Sequence, residues 1–160
     1  MGFLRFLQVS LFRPAARPVA RRPRVLMSDP QLTGIWTALQ KEYFPDRTDI
    51  LEYTIGWSTR RQRRTLGSCN FIRRRVKVAK EMRDPRAEKW LAPLLYHEMC
   101  HAILGEEVGR CGTKRAWHGP AFKKLEARHP EIEAMNEWIK TGGWLSAVRS
   151  DRARSKHRMR

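Results

Sequence analysis

Cysteine is scarce in this chain of 160 residues, and its spacing excludes two common kinds of small domain. The three cysteines, Cys69, Cys100 and Cys111, form no Cys-x-x-Cys pair. An odd number without such a pair argues against a disulfide scaffold and against a separate zinc ribbon. We therefore expect a single hydrophobic core without cross-links, in a monomer, and a reducing compartment such as the cytoplasm of a bacterium.

Long apolar runs are also missing, since no stretch approaches the roughly 20 residues that a membrane-spanning helix needs. We expect no membrane partner. Residues 3–12 are apolar but interrupted by Arg5, and the Pro- and Arg-rich run after them is more typical of an organellar transit peptide than of a secretory signal. A simpler alternative is that the protein begins naturally at Met27, so that residues 1–26 are a non-native extension.

Acidic residues are few, with 16 Asp and Glu against 33 Lys and Arg, and the net charge is +17. Residues 1–27 carry six arginines and no acid, and residues 149–160 carry six basic residues against the single Asp151. We predict that both ends are disordered basic tails, the first of them disordered or non-native, around one domain at residues 28–148.

Within that domain, residues 53–80 hold nine basic residues and no acid. A clustered positive charge suits a phosphate backbone, because Lys and Arg displace condensed counterions whatever the base sequence. The alternative is a solvated surface that only keeps the protein soluble. We favour non-specific DNA binding in the cytoplasm or at the nucleoid, and the residues expected to carry it are Arg60, Arg61, Arg63, Arg64, Arg73, Arg75 and Lys77.

The hydrophobic pattern predicts an α+β domain. Residues 30–44 have helical spacing, with Asp29 as a cap, and residues 50–57 and 71–78 have strand-like alternation, which predicts two or three short antiparallel strands. In the second run, Ile72, Val76 and Val78 are expected on one face. A long helix follows at about residues 86–105, and two further helices begin near His118 and residue 130.

A five-residue motif, His97-Glu98-Met99-Cys100-His101, lies on the long predicted helix. Residues four apart share a helix face, so His97 and His101 can bind one metal ion, and Glu98 lies where it can take a proton from a metal-bound water. The helix is otherwise apolar between residues 91 and 104, so it must be largely buried. Two imidazoles and a carboxylate in that setting are costly unless a cation such as Zn²⁺ satisfies them.

A hydrolytic zinc site keeps three protein ligands and one open position, so a third ligand is needed. His118 is the best candidate, because it follows a loop and precedes the helix that Gly119 and Pro120 introduce. Cys111 lies on the intervening segment, and as a fourth ligand it would close the site and make it structural. We expect one zinc ion with three histidine ligands.

Taken together, these residues resemble the SprT-like family of zinc metalloproteases over about residues 50–130. The resemblance implies a zincin-like fold with an N-terminal helix, a small antiparallel sheet, an active-site helix and C-terminal helices. It also implies that His97, His101 and His118 hold the zinc ion and that Glu98 is the catalytic base. The segments that carry it are Trp57-Ser58-x-Arg60, Arg64-Thr65-Leu66-Gly67-Ser68-Cys69, residues 72–78, His97-Glu98-Met99-Cys100-His101-Ala102 and His118-Gly119-Pro120-x-Phe122.

The resemblance implies peptide-bond hydrolysis of a protein substrate and, for Spartan-like members, of proteins crosslinked to DNA. The chain lacks the four-cysteine ribbon of several relatives, so DNA contacts would have to come from its basic residues. Two alternatives stay open at this point. One is a nucleic-acid-binding module in which the metal is structural, and the other is a YgjP-like zincin, a family that shares the Gly-Ser-Cys and His-Glu-x-x-His elements.

Overall fold

A computed structural model describes residues 26–111 and 118–157, and for residues 106–111 it describes the backbone alone. The α+β class is confirmed: helices surround a small sheet of three strands. None of the described helices is long and apolar enough to cross a membrane. In chain order the elements are α1 (Pro30–Tyr43), β1 (Thr54–Trp57), β2 (Gly67–Asn70), β3 (Arg75–Val78), α2 (Pro85–Glu88), α3 (Leu91–Cys111), α4 (Pro120–Glu126), α5 (Ile132–Lys140) and α6 (Gly143–His157), with 3₁₀ turns at Thr48–Glu52 and Lys80–Arg83.

Helix α1 begins where the sequence predicts. The Asp29 carboxylate accepts a hydrogen bond from the Leu32 N–H at 3.2 Å, and Pro30 takes the first helical position, which needs no N–H. One face of the helix, with Leu32, Trp36 and Leu39, is buried. Helix α1 packs on α3 and β1, and these contacts build the centre of the core.

The sheet has the strand order β1-β3-β2, and the expectation of a purely antiparallel sheet is wrong for one pair. Strand β3 is antiparallel to β2 but parallel to β1. The cause is the connection at residues 58–66, which carries the chain from the end of β1 to the far edge of the sheet, so that β3 returns between the two earlier strands. Alternation in the sequence indicates which side chains are buried, but it carries no information about which strands pair.

The turn between β2 and β3 overturns the placement of Ile72 on the buried face. Ile72 is 82% exposed, because residues 71–74 form a turn and the strand begins only at Arg75. Arg74 has a φ of 47°, the left-handed conformation that closes this turn. Val76 and Val78 are fully buried, as predicted.

The long predicted helix is divided into α2 and α3 at residues 89 and 90. Pro93 explains the division, because a continuous helix from residue 86 would place it in the interior, where its ring clashes with the preceding turn. In α3, which begins at Leu91, Pro93 lies in the first turn and is tolerated. The same helix continues beyond residue 105 to Cys111, whose side chain lies outside the described residues, so the question of Cys111 as a ligand is not tested.

The predicted disordered tail at residues 149–160 is wrong for most of its length, because α6 extends to His157. Residues 158–160 lie outside the described residues. Trp144, Ala147 and Val148 recur at helical spacing and are buried, which holds the start of α6 on the domain. Further along, Arg154 Nη2 lies 2.8 Å from the Asp84 carboxylate, whose side chain is fully buried.

The predicted boundary at residue 28 is also corrected. Leu26 is only 7% exposed, and the Asp29 N–H donates to the Ile55 carbonyl at 2.8 Å, so the chain is already packed along β1 before α1 begins. A large apolar side chain next to a strand is stabilised by the surface it buries. The expectation of disorder for residues 1–25 lies outside the described residues.

Asp84 joins α2 and α6 and should make stability depend on pH. Burial raises the pKa of Asp84, but hydrogen bonds from the Arg86 N–H and the Ser150 hydroxyl, with the charge of Arg154, bring the pKa below the usual 3.8. A lowered pKa means that the folded protein favours the carboxylate. This contribution to stability is complete above the pKa of the unfolded chain and is lost as the pH falls through the folded value.

We therefore expect Asp84→Asn to lower the free energy of unfolding at neutral pH by about 1–3 kcal/mol, the usual cost of a lost charged hydrogen bond. Urea unfolding of both proteins should show a difference that is constant down to about pH 5 and then shrinks as the pH falls toward about pH 2. Asp46→Asn, at an exposed position, is the control and should leave stability unchanged. A difference that stays constant below about pH 5 as well would contradict the role of the Asp84 charge.

Candidate metal centre

Helix α3 brings two imidazoles to one point. His97 and His101 lie one turn apart, and their Nε2 atoms are 3.2 Å from each other. The opposite sides of the helix carry buried apolar residues, including Leu95 and Met99, which pack into the core and set the rotation of the helix. Because that rotation is set by packing, both histidines are directed to the same side.

His118 completes the group from the other end of a loop. Gly119 caps α4 and Pro120 is its first residue, as the sequence suggests, and Phe122 is buried and anchors the short helix. The ring centroid of His118 lies 5.5 Å from that of His97 and 4.9 Å from that of His101. One nitrogen atom from each ring lies within 4.8 Å of the other two, so the structure brings the three predicted ligands together.

These three residues are chemically suited to hold a divalent cation. Burial lowers the pKa of His101 to about 3, and it also lowers the pKa of His118. A low pKa keeps an imidazole neutral, with one nitrogen lone pair free for a metal ion. Three imidazoles that converge on one point match the ligand set of hydrolytic zinc sites, which leave a fourth position open.

Glu98 lies next to this group but faces the sheet. Its carboxylate is 4% exposed and accepts a hydrogen bond from the backbone N–H of Cys69 on β2. Burial raises the pKa of Glu98 to about 7, and the neighbouring His97 and the Cys69 N–H partly oppose the rise. The carboxylate is therefore held by the strand at the wall of the metal centre.

The sheet register explains the Gly67-Ser68-Cys69 segment. Gly67 pairs with Val78 and Cys69 pairs with Val76, so both lie on the face of β2 that is turned toward α3. A Cβ atom at position 67 would overlap the Glu98 carboxylate, so only glycine leaves room for it. Burial raises the pKa of the Cys69 thiol to about 12, which keeps it protonated and unsuited to act as a nucleophile.

An open cavity of about 470 Å³ connects these groups with solvent. Its size is within the range of clefts that take up small ligands or short chain segments. One wall comes from β2, which is one of the two edge strands of the sheet, and the other comes from the three histidines. The lining residues are Gly67, Ser68, Cys69, His97, Glu98, His101 and His118.

Sequence reasoning missed two residues beside this centre. Glu126, at the end of α4, has its Oε1 atom 2.6 Å from His97 Nδ1, and the Tyr96 hydroxyl donates to the Leu125 carbonyl at 2.8 Å. Each pair is separated by 29 residues, so no local rule connects them. The signal available in the sequence was only that Glu126 ends the helix that begins directly after His118 and Gly119.

The predicted DNA-binding residues lie outside the cavity. Those of the β1–β2 loop, Arg60, Arg61, Arg63 and Arg64, are exposed, as are Arg73 in the β2–β3 turn and Lys77 on the outer face of β3, and Arg75 on that same face is half-buried. In the part of the chain that the structure describes, none of these seven residues forms an ion pair. Their neighbour Arg74, which is not one of the seven, pairs with Glu52. The charges of the seven residues are thus available to an anionic partner.

The backbone of the β1–β2 loop is held by hydrogen bonds to buried side chains. The Ser58 hydroxyl donates to the Arg60 carbonyl at 2.8 Å, the Gln62 N–H donates to Glu81 Oε1 at 2.8 Å, and Trp144 Nε1 donates to the Arg63 carbonyl at 3.0 Å. Ser58, Glu81 and Trp144 are all buried. The loop therefore has an ordered backbone beneath exposed arginine side chains.

The centre should bind one divalent ion, and each histidine should matter for that binding. We expect one Zn²⁺ per chain in a competition titration with a chromogenic chelator. His118→Ala should weaken binding by more than the 10- to 100-fold that is typical of losing a residue that only supports a ligand. His157→Ala, at an exposed position of α6, is the matched control. Equal affinity of the two variants would show that His118 is no ligand.

The comparisons with known proteins agree with this geometry. The SprT-like family model matches residues 33–139, a range that includes the sheet, α3 and His118. Neither a curated protein nor a solved structure gave a match. Because the family model covers more than half of the chain, including all three histidines and Glu98, the chain belongs to the SprT-like family.

Proposed function

We propose that this protein is a zinc-dependent peptidase in which His97, His101 and His118 hold one zinc ion and Glu98 transfers the proton. The observation that carries the proposal is that three converging imidazoles and a buried carboxylate line the same open cavity. Membership of the SprT-like family supports the same activity. A zinc ion supplies Lewis acidity toward a water molecule and toward a peptide carbonyl.

Glu98 is placed to act as general base and then as general acid. A group in either role must lie within hydrogen-bond reach of the proton that it moves, and the Glu98 carboxylate lies in the wall of the cavity beside the ligands. It accepts a proton from the water that attacks the peptide carbon, and it returns that proton to the leaving amine as the C–N bond breaks. The Cys69 N–H keeps the carboxylate oriented from the side of β2.

Glu98→Gln tests this role, because the amide has nearly the same shape but cannot take up the proton. We expect zinc affinity to stay near that of the parent, while cleavage of an unfolded protein substrate, followed by gel electrophoresis, slows at least about 100-fold. Glu133→Gln, on the exposed face of α5, is the control and should cleave normally. A Glu98→Gln variant with full activity would refute the assignment.

We also propose that nucleic acid recruits the substrate, so that the proteins cleaved are bound or crosslinked to DNA. The observation in favour is the β1–β2 loop, whose arginines are exposed on a backbone that buried residues hold in place. Because the loop backbone is already ordered, less freedom is lost when its arginines meet phosphates, which favours binding. The loop leads directly into β2, whose Gly67 and Ser68 line the cavity, so a protein on DNA at the loop would be close to the metal centre.

The variant Arg63→Gln/Arg64→Gln tests the nucleic-acid site. Each phosphate contact that is lost should lower the salt dependence of single-strand binding by about 0.7 in log K against log salt, so we expect a decrease of about 1.4 in fluorescence-anisotropy titrations. Lys123→Gln/Lys124→Gln removes the same charge from exposed positions of α4 and should change the slope much less. Equal effects of the two pairs would mean that only the total charge matters.

A nucleic-acid-binding module with a structural metal is the competing function. It predicts DNA binding without cleavage of any protein, with or without single-stranded DNA. Cleavage that occurs equally in both conditions would remove DNA recruitment and leave the peptidase.

A further inference from the structure

Helices α3 and α4 are joined by two adjacent contacts at the metal centre. On α3 the partners are the consecutive residues Tyr96 and His97, and on α4 they are the consecutive residues Leu125 and Glu126. The Tyr96 hydroxyl donates to the Leu125 carbonyl at 2.8 Å, and His97 Nδ1 lies 2.6 Å from Glu126 Oε1. These two contacts fix the position of α4 along the axis of α3.

Helix α4 contributes to the centre along its whole length. His118 lies just before its start, Phe122 in its middle and Glu126 at its end. Phe122 and Glu126 are four residues apart and therefore share a face of the helix. The Phe122 ring centroid lies 5.1 Å from that of His97, 4.5 Å from that of His101 and 4.8 Å from that of His118. Helix α4 and the residue before its cap thus supply a proposed ligand, an apolar wall and a carboxylate.

The contact between Glu126 and His97 determines which nitrogen of His97 is available. In a hydrogen bond between an imidazole nitrogen and a carboxylate oxygen the imidazole N–H is the donor, so the 2.6 Å contact favours the tautomer in which His97 Nδ1 donates to Glu126 Oε1. The lone pair is then on Nε2, the atom that faces His101 Nε2 at 3.2 Å. The side chains of His97 and Glu126 are 24% and 16% exposed, so water competes little for this hydrogen bond.

We infer that Glu126 is a positioning residue that holds His97 in the tautomer and ring orientation required for metal binding, and that it thereby sets the affinity of the centre. Glu126 is not among the residues that line the described cavity, so the role inferred for it is positioning of His97 and not catalysis. A carboxylate behind a ligating histidine orients the ring and makes it a stronger donor to the metal. The inference rests on the metal centre of the proposed function but not on peptidase activity.

The test measures Zn²⁺ affinity by chelator competition and the visible spectrum of the Co²⁺ form, which reports the geometry of the ligands. We expect Glu126→Ala to bind Zn²⁺ about 10- to 100-fold more weakly than the parent and to show an altered Co²⁺ spectrum. Glu126→Gln keeps an acceptor oxygen but no charge, and its affinity should lie between those of the parent and the alanine variant. Glu133→Ala, an exposed glutamate on the next helix, is the matched control and should bind like the parent.

Thermal unfolding of the metal-free proteins separates positioning from folding. We expect the metal-free Glu126→Gln variant to unfold at nearly the temperature of the parent while its Zn²⁺ affinity is reduced. If Glu126→Ala does not fold, the glutamine variant decides. An affinity at least about threefold lower than that of the parent supports the inference, and any smaller loss overturns it. A parent that binds no zinc would overturn the metal centre as well, whereas a parent that binds zinc but cleaves nothing would overturn only the proposed peptidase.

Discussion

A buried carboxylate and two half-buried imidazoles on an apolar helix are the constraint on which the rest of this structure depends. Polar groups removed from water cost free energy unless each finds a partner, and α3 is too apolar to supply partners itself. They come from elsewhere in the chain: the Cys69 N–H reaches Glu98, and Glu126 reaches His97. One nitrogen atom of each of the three imidazoles remains at the point where the rings converge. A cation bound there would accept the lone pairs of these nitrogen atoms.

The same constraint explains the position of the small sheet. Strand β2 lies against α3 with Gly67 over the Glu98 carboxylate, and a shift of the β2–β3 register by one residue would direct Ser68 there instead. The register is supported by Val76 and Val78, which are fully buried and face the same side. Core packing and the position of the proposed proton-transfer group are therefore set by one pairing of strands.

Positive charge is kept apart from this chemistry. The arginines of the β1–β2 loop are exposed, while the loop backbone is hydrogen-bonded to buried Ser58, Glu81 and Trp144. Trp144 belongs to α6, so the C-terminal helix supports the loop as well as the end of the domain. In residues 26–111 and 118–157, which the structure describes, the guanidinium groups of this loop are exposed to solvent and form no ion pair with the metal centre.

Several features followed from the sequence alone, because they depend on residues close together in the chain. The capped start of α1, the shared face of His97 and His101, and the burial of Val76 and Val78 are local consequences of helical and strand periodicity. The family resemblance and the choice of His118 used order and spacing in the same way. Two local predictions were wrong: the burial of Ile72 and the single helix over residues 86–105. In the first a turn interrupts the alternation, and in the second Pro93 interrupts the helical pattern.

Tertiary structure alone decided the parallel pairing of β1 with β3, the attachment of α6 through Asp84 and Arg154, and the contact between Glu126 and His97. Each of these joins residues that are far apart in the sequence, so no periodicity connects them. They depend on how the packed elements share buried space and on which distant group can satisfy a buried charge. The residues that can bind a metal ion were therefore visible in the sequence, whereas those that hold them in place became visible only in the fold.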